Sequence, residues 1–249
     1  MAFNQSAINF VLIRRQFDFR SIEIGRWVTA EERDRAAVKF HSALEDLMSV
    51  LQVPELVISL RGTLGLQYGK GGRPGVAAHY IPATRQLSLA KNAGAGSLAH
   101  EWFHAFDHYM GAKVFHQASP SQFASERWLN NSPLKLSDNK APHPISLLLA
   151  EVFKAIMLNG QGDEPSNLFQ ASCLADKNLK VLYYSKPEEM CARAFEAFVE
   201  DSIPNNTFLV KGTRYSDEAK VGLYPEGEQR IRVNQSFNCL FSLLGQALM

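Results

Sequence analysis

Twelve residues constrain this chain more than any others: Ser97-Leu98-Ala99-His100-Glu101-Trp102-Phe103-His104-Ala105-Phe106-Asp107-His108. They contain His-Glu-x-x-His, the spacing with which a helix offers two imidazoles to one zinc ion. At 3.6 residues per turn, His100 and His104 stand one turn apart on one face. Each ring nitrogen can then approach a tetrahedral Zn²⁺ at about 2.0–2.1 Å. Glu101 lies about 100° round the helix, beside the metal rather than on it. It is placed to act as general base toward a zinc-activated water and to return the proton to a leaving amine.

The rest of the composition excludes more than it selects. The 249 residues are 46% hydrophobic and 20% charged, with a net charge of +1 and interspersed signs, so no basic face argues for nucleic acid. The cysteines Cys173, Cys191 and Cys239 lack C-x-x-C spacing. They point to buried thiols in a reducing compartment, not to a disulfide frame or a cysteine-based zinc site. The apolar run Ile8–Ile13 is followed, not preceded, by Arg14-Arg15, opposite to a signal peptide, and the apolar stretch from Phe237 to Leu248 falls short of the ~20 residues that span a bilayer. The expectation is a cytoplasmic protein with no membrane partner.

Along the chain, residues 1–28 read as an N-terminal extension with an aromatic-basic segment, Phe17-Asp18-Phe19-Arg20. Thr29-Ala30-Glu31-Glu32 is a capping box that opens an amphipathic helix to about Leu51, with Ala37, Phe40, Leu44 and Leu47 on one face. His41 on that helix is a packing or surface residue. Val57–Leu60, Leu64–Tyr68, Val76–Ile81 and Gln86–Ala90 read as short strands. The glycine-rich Gly69–Gly75 lacks G-x-x-x-x-G-K-[ST] and leads into a strand, so it is a turn rather than a phosphate cradle. Asn92–Gly96 leads to the motif helix, with Gly96 or Ser97 near its N-cap, and that helix runs to about Met110. Residues 111–143 read as an irregular insertion, followed by helices over 144–158, about 167–177, 188–201 and from about Gln229. Nothing in the composition divides the chain, so residues 1–249 form one domain.

Two imidazoles and a water leave one protein ligand to find. His108 is eight residues from His100, about 12 Å along the axis, too far to share the ion; it belongs at the surface or outside the ligand set. Asp107 faces the His100 side and suits either a carboxylate that holds an imidazole tautomer or a solvated helix charge. Glu189 and Glu196 lie seven apart on one face of the 188–201 helix. Spacing does not choose between them, and Glu196 has Arg193 available three residues back. His79, on the 76–81 strand, is read as packing or surface.

These residues resemble a known group. His100-Glu101-Trp102-Phe103-His104-Ala105-Phe106-Asp107 and the later Glu189-x-x-Ala192-x-Ala194-Phe195 are similar to the two metal-binding helices of gluzincin-type metallopeptidases, in particular the anthrax-lethal-factor-like zincins. A closer resemblance is to the bacterial CLCA_X family and to a zincin-like domain associated with large polyvalent proteins of phages and conjugative elements. It rests on Phe17–Arg20, Gly25–Val28, Leu64–Gly72, Ala78–Tyr80, Leu89–Trp102 and Glu189–Phe198. The resemblance implies an α+β zincin-like fold: a small, mostly antiparallel sheet packed on an active-site helix and a glutamate helix. It implies one Zn²⁺ held by His100, His104 and Glu189, Glu101 as catalytic base, and Tyr183 or Tyr184 steadying the oxyanion. The activity implied is zinc-dependent hydrolysis of a protein or peptide, with substrate laid along the 76–81 or 86–90 strand. The alternatives are a non-catalytic zinc-containing accessory protein of mobile-element context and a metal-free helical protein in which His100 and His104 merely pack.

Overall fold

The computed structural model describes residues 8–70, 78–91, 96–116, 119–138, 140–203 and 206–248. The readings of Gly71–Gly75, of the first two residues of the 76–81 strand and of Asn92–Ala95 therefore lie outside the described residues. In chain order the elements are α1 (Phe10–Gln16), β1 (Ser21–Ile24), α2 (Ala30–Leu51), α3 (Glu55–Ile58), β2 (Gly65–Tyr68), β3 (Ala78–Ile81) and β4 (Gln86–Leu89). They continue with α4 (Ser97–Val114), α5 (Ala124–Leu129), α6 (Pro144–Met157), α7 (Asn167–Leu179), α8 (Pro187–Ser202), α9 (Asp217–Lys220) and α10 (Gly227–Gln246). The molecule is α+β, a four-stranded sheet beside a larger helical layer. Among the described residues no helix is long and apolar enough to cross a membrane.

The sheet order is β1-β2-β4-β3, with β1–β2 and β2–β4 parallel and β3–β4 antiparallel. This corrects the mostly antiparallel sheet: the sheet is mixed, and two of its three pairings are parallel. The reason is α2, which carries the chain from β1 back to the start of β2, as a parallel pair requires. Residues 10–24 are no extension either, because α1 buries Phe10 and Ile13 and β1 forms a sheet edge. Val57–Leu60 is not a strand. Pro54 takes the N-cap of α3, whose single turn is too short to show helical periodicity. The 111–143 segment is likewise not wholly irregular, since α4 continues to Val114 and α5 buries Ala124 and Ser125.

The helices are held by rings. Trp102, Phe103 and Phe106 of α4, Phe195 and Phe198 of α8, and Phe237 and Phe241 of α10 are each no more than 1% exposed. Phe103 stacks on Phe195 at 4.9 Å, and Phe198 stacks on Phe237 at 5.2 Å. The Trp102 indole N–H donates to Ile58 O at 2.9 Å, so burial leaves no orphan donor. Gly245 lets α10 approach α2's end, because a Cβ there would lie 2.2 Å from Gln52 O.

One ion-pair network closes the C-terminal helix onto α8. Arg230, 7% exposed, grips Asp201 through Nε at 2.7 Å and Nη2 at 2.8 Å, and also donates to Ala197 O and to the Thr213 carbonyl and hydroxyl. Burial works to raise the Asp201 pKa, but Arg230, Asn234 and Arg214 outweigh it and hold it at about 2.

Two outcomes follow from this packing. Phe237→Ala should cost about 3–5 kcal/mol, seen in urea titration as a lower midpoint with an unchanged slope. A carboxylate depressed in the folded state stabilises it above the unfolded pKa of about 3.9 and loses that effect as pH falls. Asp201→Asn should therefore be less stable than wild type near neutrality, and the difference should close between pH ~4 and pH ~2 in the same titration.

Candidate metal centre

α4 divides its residues between two environments. Trp102, Phe103 and Phe106 face the aromatic layer, and His100, Glu101, His104 and His108 face the sheet and the start of α8. Its first turn lacks a side-chain cap; instead Ala99 N–H donates to Leu209 O at 3.0 Å. Gly96 makes that junction possible, with φ +105° and a position where a Cβ would lie 2.9 Å from Lys211 N.

α8 crosses α4 with Glu189 in its first turn, after Pro187 at its first position. His100 Nε2 lies 3.0 Å from His104 Nε2 and 3.3 Å from Glu189 Oε2, and His104 Nε2 lies 3.5 Å from Glu189 Oε1. Ligands about 2.05 Å from a tetrahedral zinc are separated by about 3.3 Å, so these spacings fit the edges of such a site. Two imidazole nitrogens facing each other at 3.0 Å can share one proton at most. Among the described residues, buried Glu189 Oε2 has no hydrogen-bond donor. These three residues form a group able to hold a metal ion, and the described residues fit zinc.

The electrostatics point the same way. Burial opposes a charged His100, yet Glu196, then Glu189 and Glu101, overcome it and push its pKa up to about 10. Burial likewise works to neutralise Glu189, but its contacts with His100 and His104 hold it well below the usual carboxylate range. The cluster thus demands positive charge, which protons supply where no cation does. Glu101 is 8% exposed; burial raises its pKa, the His100 and His104 charges oppose this, and the main-chain N–H of Tyr80 lies against its carboxylate.

His100 is steered by Glu196. Its Nδ1–H donates to Glu196 Oε2 at 3.1 Å, leaving the Nε2 lone pair toward the centre. The Tyr224 hydroxyl donates to the same oxygen at 3.1 Å. Asp107 does not hold an imidazole, which corrects one of its two expected roles. It is fully buried and accepts from Ser125 N–H at 2.9 Å and Ser125 Oγ–H at 2.5 Å, burial pushing its pKa up to about 7. It is not a solvated charge either, because α5 covers it. His108 is no surface residue: it is 6% exposed, accepts from the Tyr80 hydroxyl at Nδ1 (2.7 Å) and donates from Nε2 to Pro120 O (2.7 Å). Both nitrogens are occupied away from the ligand set.

Tyr183 and Tyr184 both line the cavity but have different partners. Tyr183 lines the cavity beside Glu189, and burial together with the Glu189 charge raises its pKa. Tyr184 offers its carbonyl to Arg193 at 2.6 Å and its ring to the same guanidinium at 5.5 Å. Asp176 shapes this loop by accepting from the main-chain N–H groups of Tyr183, Tyr184 and Ser185 at 2.8–3.0 Å. Arg193 also donates to Leu223 O and Ser172 Oγ, tying the segments that bear both tyrosines to α8. It does not pair with Glu196. Tyr224 had no assigned part in the sequence reading, and Arg193 only that pairing. Glu196 carried a signal in its seven-residue spacing from Glu189, whereas Tyr224 carried none. The centre opens into a cavity of about 830 Å³, with Tyr80, Phe123, Tyr183, Glu188, Lys211 and Tyr224 among its walls.

No curated protein and no solved structure matches this chain. Residues 175–248 match the family model described as large polyvalent protein-associated domain 1. That span holds Glu189, Glu196, Arg193, Tyr183 and Tyr224 but not α4, so the match links the chain's C-terminal third, with the glutamate helix, to that family.

Proposed function

We propose that the protein is a zinc-dependent metallopeptidase of zincin-like, gluzincin-type fold. The observation that carries this is the convergence of His100 Nε2, His104 Nε2 and the Glu189 carboxylate to 3.0–3.5 Å, with buried Glu101 beside them. Zinc held there would supply Lewis-acid polarisation of a scissile carbonyl and acidify a water. The chain's own residues do the rest. Glu101, its pKa raised by burial, takes a proton from the attacking water and passes it to the leaving amine. Glu196 and Tyr224 fix the His100 ring so that Nε2 faces inward. The Tyr183 hydroxyl stands where it can donate to developing negative charge beside Glu189. β3 is a sheet edge and β4 is interior, so an extended peptide adds to β3, above Glu101.

The second reading is a non-catalytic zinc-containing accessory protein. A purely structural zinc prefers four protein ligands and has no use for a buried carboxylate beside it. Three ligands and Glu101 favour the enzyme.

Wild type, His104→Ala, Glu189→Ala, Glu101→Gln and Glu196→Gln separate these readings. Wild type should carry about one zinc per chain and hydrolyse members of a peptide library. His104→Ala and Glu189→Ala should lose the metal, and Glu101→Gln should keep it with hydrolysis down by about 10²–10⁴-fold. Glu196→Gln should bind zinc about 10–100-fold more weakly in chelator competition. Full zinc in Glu189→Ala would sink the ligand set, and zinc with no hydrolysis of any peptide by wild type would favour the accessory reading.

A further inference from the structure

Two carboxylates in the cavity walls, Glu188 and Glu218, serve neither the ligand set nor its supports, and of these Glu188 adjoins Glu189. Glu188 precedes Glu189 at the start of α8 and lines the same cavity. It is half-buried, and its carboxylate meets its own main-chain N–H but, among the described residues, forms no ion pair. Neither Arg193 nor Lys211, the cations among the cavity walls, forms an ion pair with it among the described residues, and Lys186, two residues back and not among those walls, acts on its charge. Arg193 is engaged by Leu223 O, Ser172 Oγ and Tyr184 O. Glu188 shares a face of α8 with Cys191, three residues on, and Cys191 meets Ser125 of α5, which puts Glu188 on the α5 side of the centre. On that side Phe123, at the N-cap of α5, presents a half-buried ring, 5.8 Å from the His104 ring and 5.6 Å from that of His108.

We infer that Glu188 and Phe123 form a subsite for a lysine or arginine side chain of a peptide in the cleft, an inference that rests on reading the site as peptide-binding. A long basic side chain can lay its aliphatic stem and cationic end along an aromatic face and finish on a carboxylate. A peptide covering this half-buried carboxylate removes what water it has, so an apolar residue there leaves the charge unpaired and an acidic one adds repulsion. Discrimination therefore comes from both sides, attraction for a base and a penalty for its replacements.

The test is binding, which does not depend on turnover. Zinc-loaded Glu101→Gln protein is titrated by fluorescence anisotropy with alanine-rich hexapeptides in which arginine, norleucine or glutamate is walked through each position. At one position arginine should bind about 10- to 100-fold tighter than glutamate, the range expected of a hydrogen bond to a charged group. Glu188→Gln in the same background should erase most of that preference, and Glu188→Lys should reverse it, with zinc content confirming that each variant is folded. Equal binding of the three series, no binding, or a preference that survives Glu188→Gln overturns the inference. A Glu188-dependent preference in a protein whose wild type cuts no peptide upholds the subsite and removes only the peptidase reading.

Discussion

Everything at this centre depends on how α4 lies against α8. The two helices bury stacked rings on one side, Phe103 on Phe195 at 4.9 Å, and on the other bring candidate ligand atoms to 3.3–3.5 Å of one another. An aromatic interior is close-packed and changes shape in steps, so it holds that separation to a fraction of an ångström. A metal site needs such rigidity, because ligands that drift lose the tetrahedral edge length.

The same packing concentrates charge. Glu101, Glu189 and Glu196 surround two imidazoles in a space largely closed to water, and the result is a His100 whose pKa is driven up to about 10 against the cost of burial. Such a cluster is unstable toward loss of its positive charge, which makes it selective for a cation. The supports extend outward in one chain, from Tyr224 through Glu196 to His100, while Arg193 and Asp176 hold the loops that carry the two tyrosines. Further along the same face of α4 lies a second brace, in which His108 joins Tyr80 of β3 to Pro120 O and so fixes the sheet edge above the motif helix.

The motif helix, the capped α2 and the helices at α6, α7, α8 and α10 were legible because each is long enough for 3.6-residue periodicity, and α2, α6, α7 and α8 also carry a side-chain cap or a proline at their start. α1, α3 and α5, of seven, four and six residues, were not, because periodicity needs more than two turns to show. Missing α5 is what misplaced Asp107, since its partner Ser125 belongs to that helix. The mostly antiparallel sheet was an implication of the resemblance, and β1, read as part of an extension, supplies one of the two parallel pairings that overturn it.

The sequence by itself determined that His100, Glu101 and His104 share one helix and that two glutamates face alike on another, because helical geometry is local and fixed by spacing. It also excluded His108 from the ligand set, since distance along an axis needs no fold to be known. Only the tertiary structure decided which glutamate stands opposite both imidazoles, which carboxylate takes the outer nitrogen of His100, and which of two adjacent tyrosines lies beside Glu189. Those choices depend on the crossing of α4 and α8 and on the turn before Pro187. Both are set by contacts between residues some ninety positions apart, which no local pattern records.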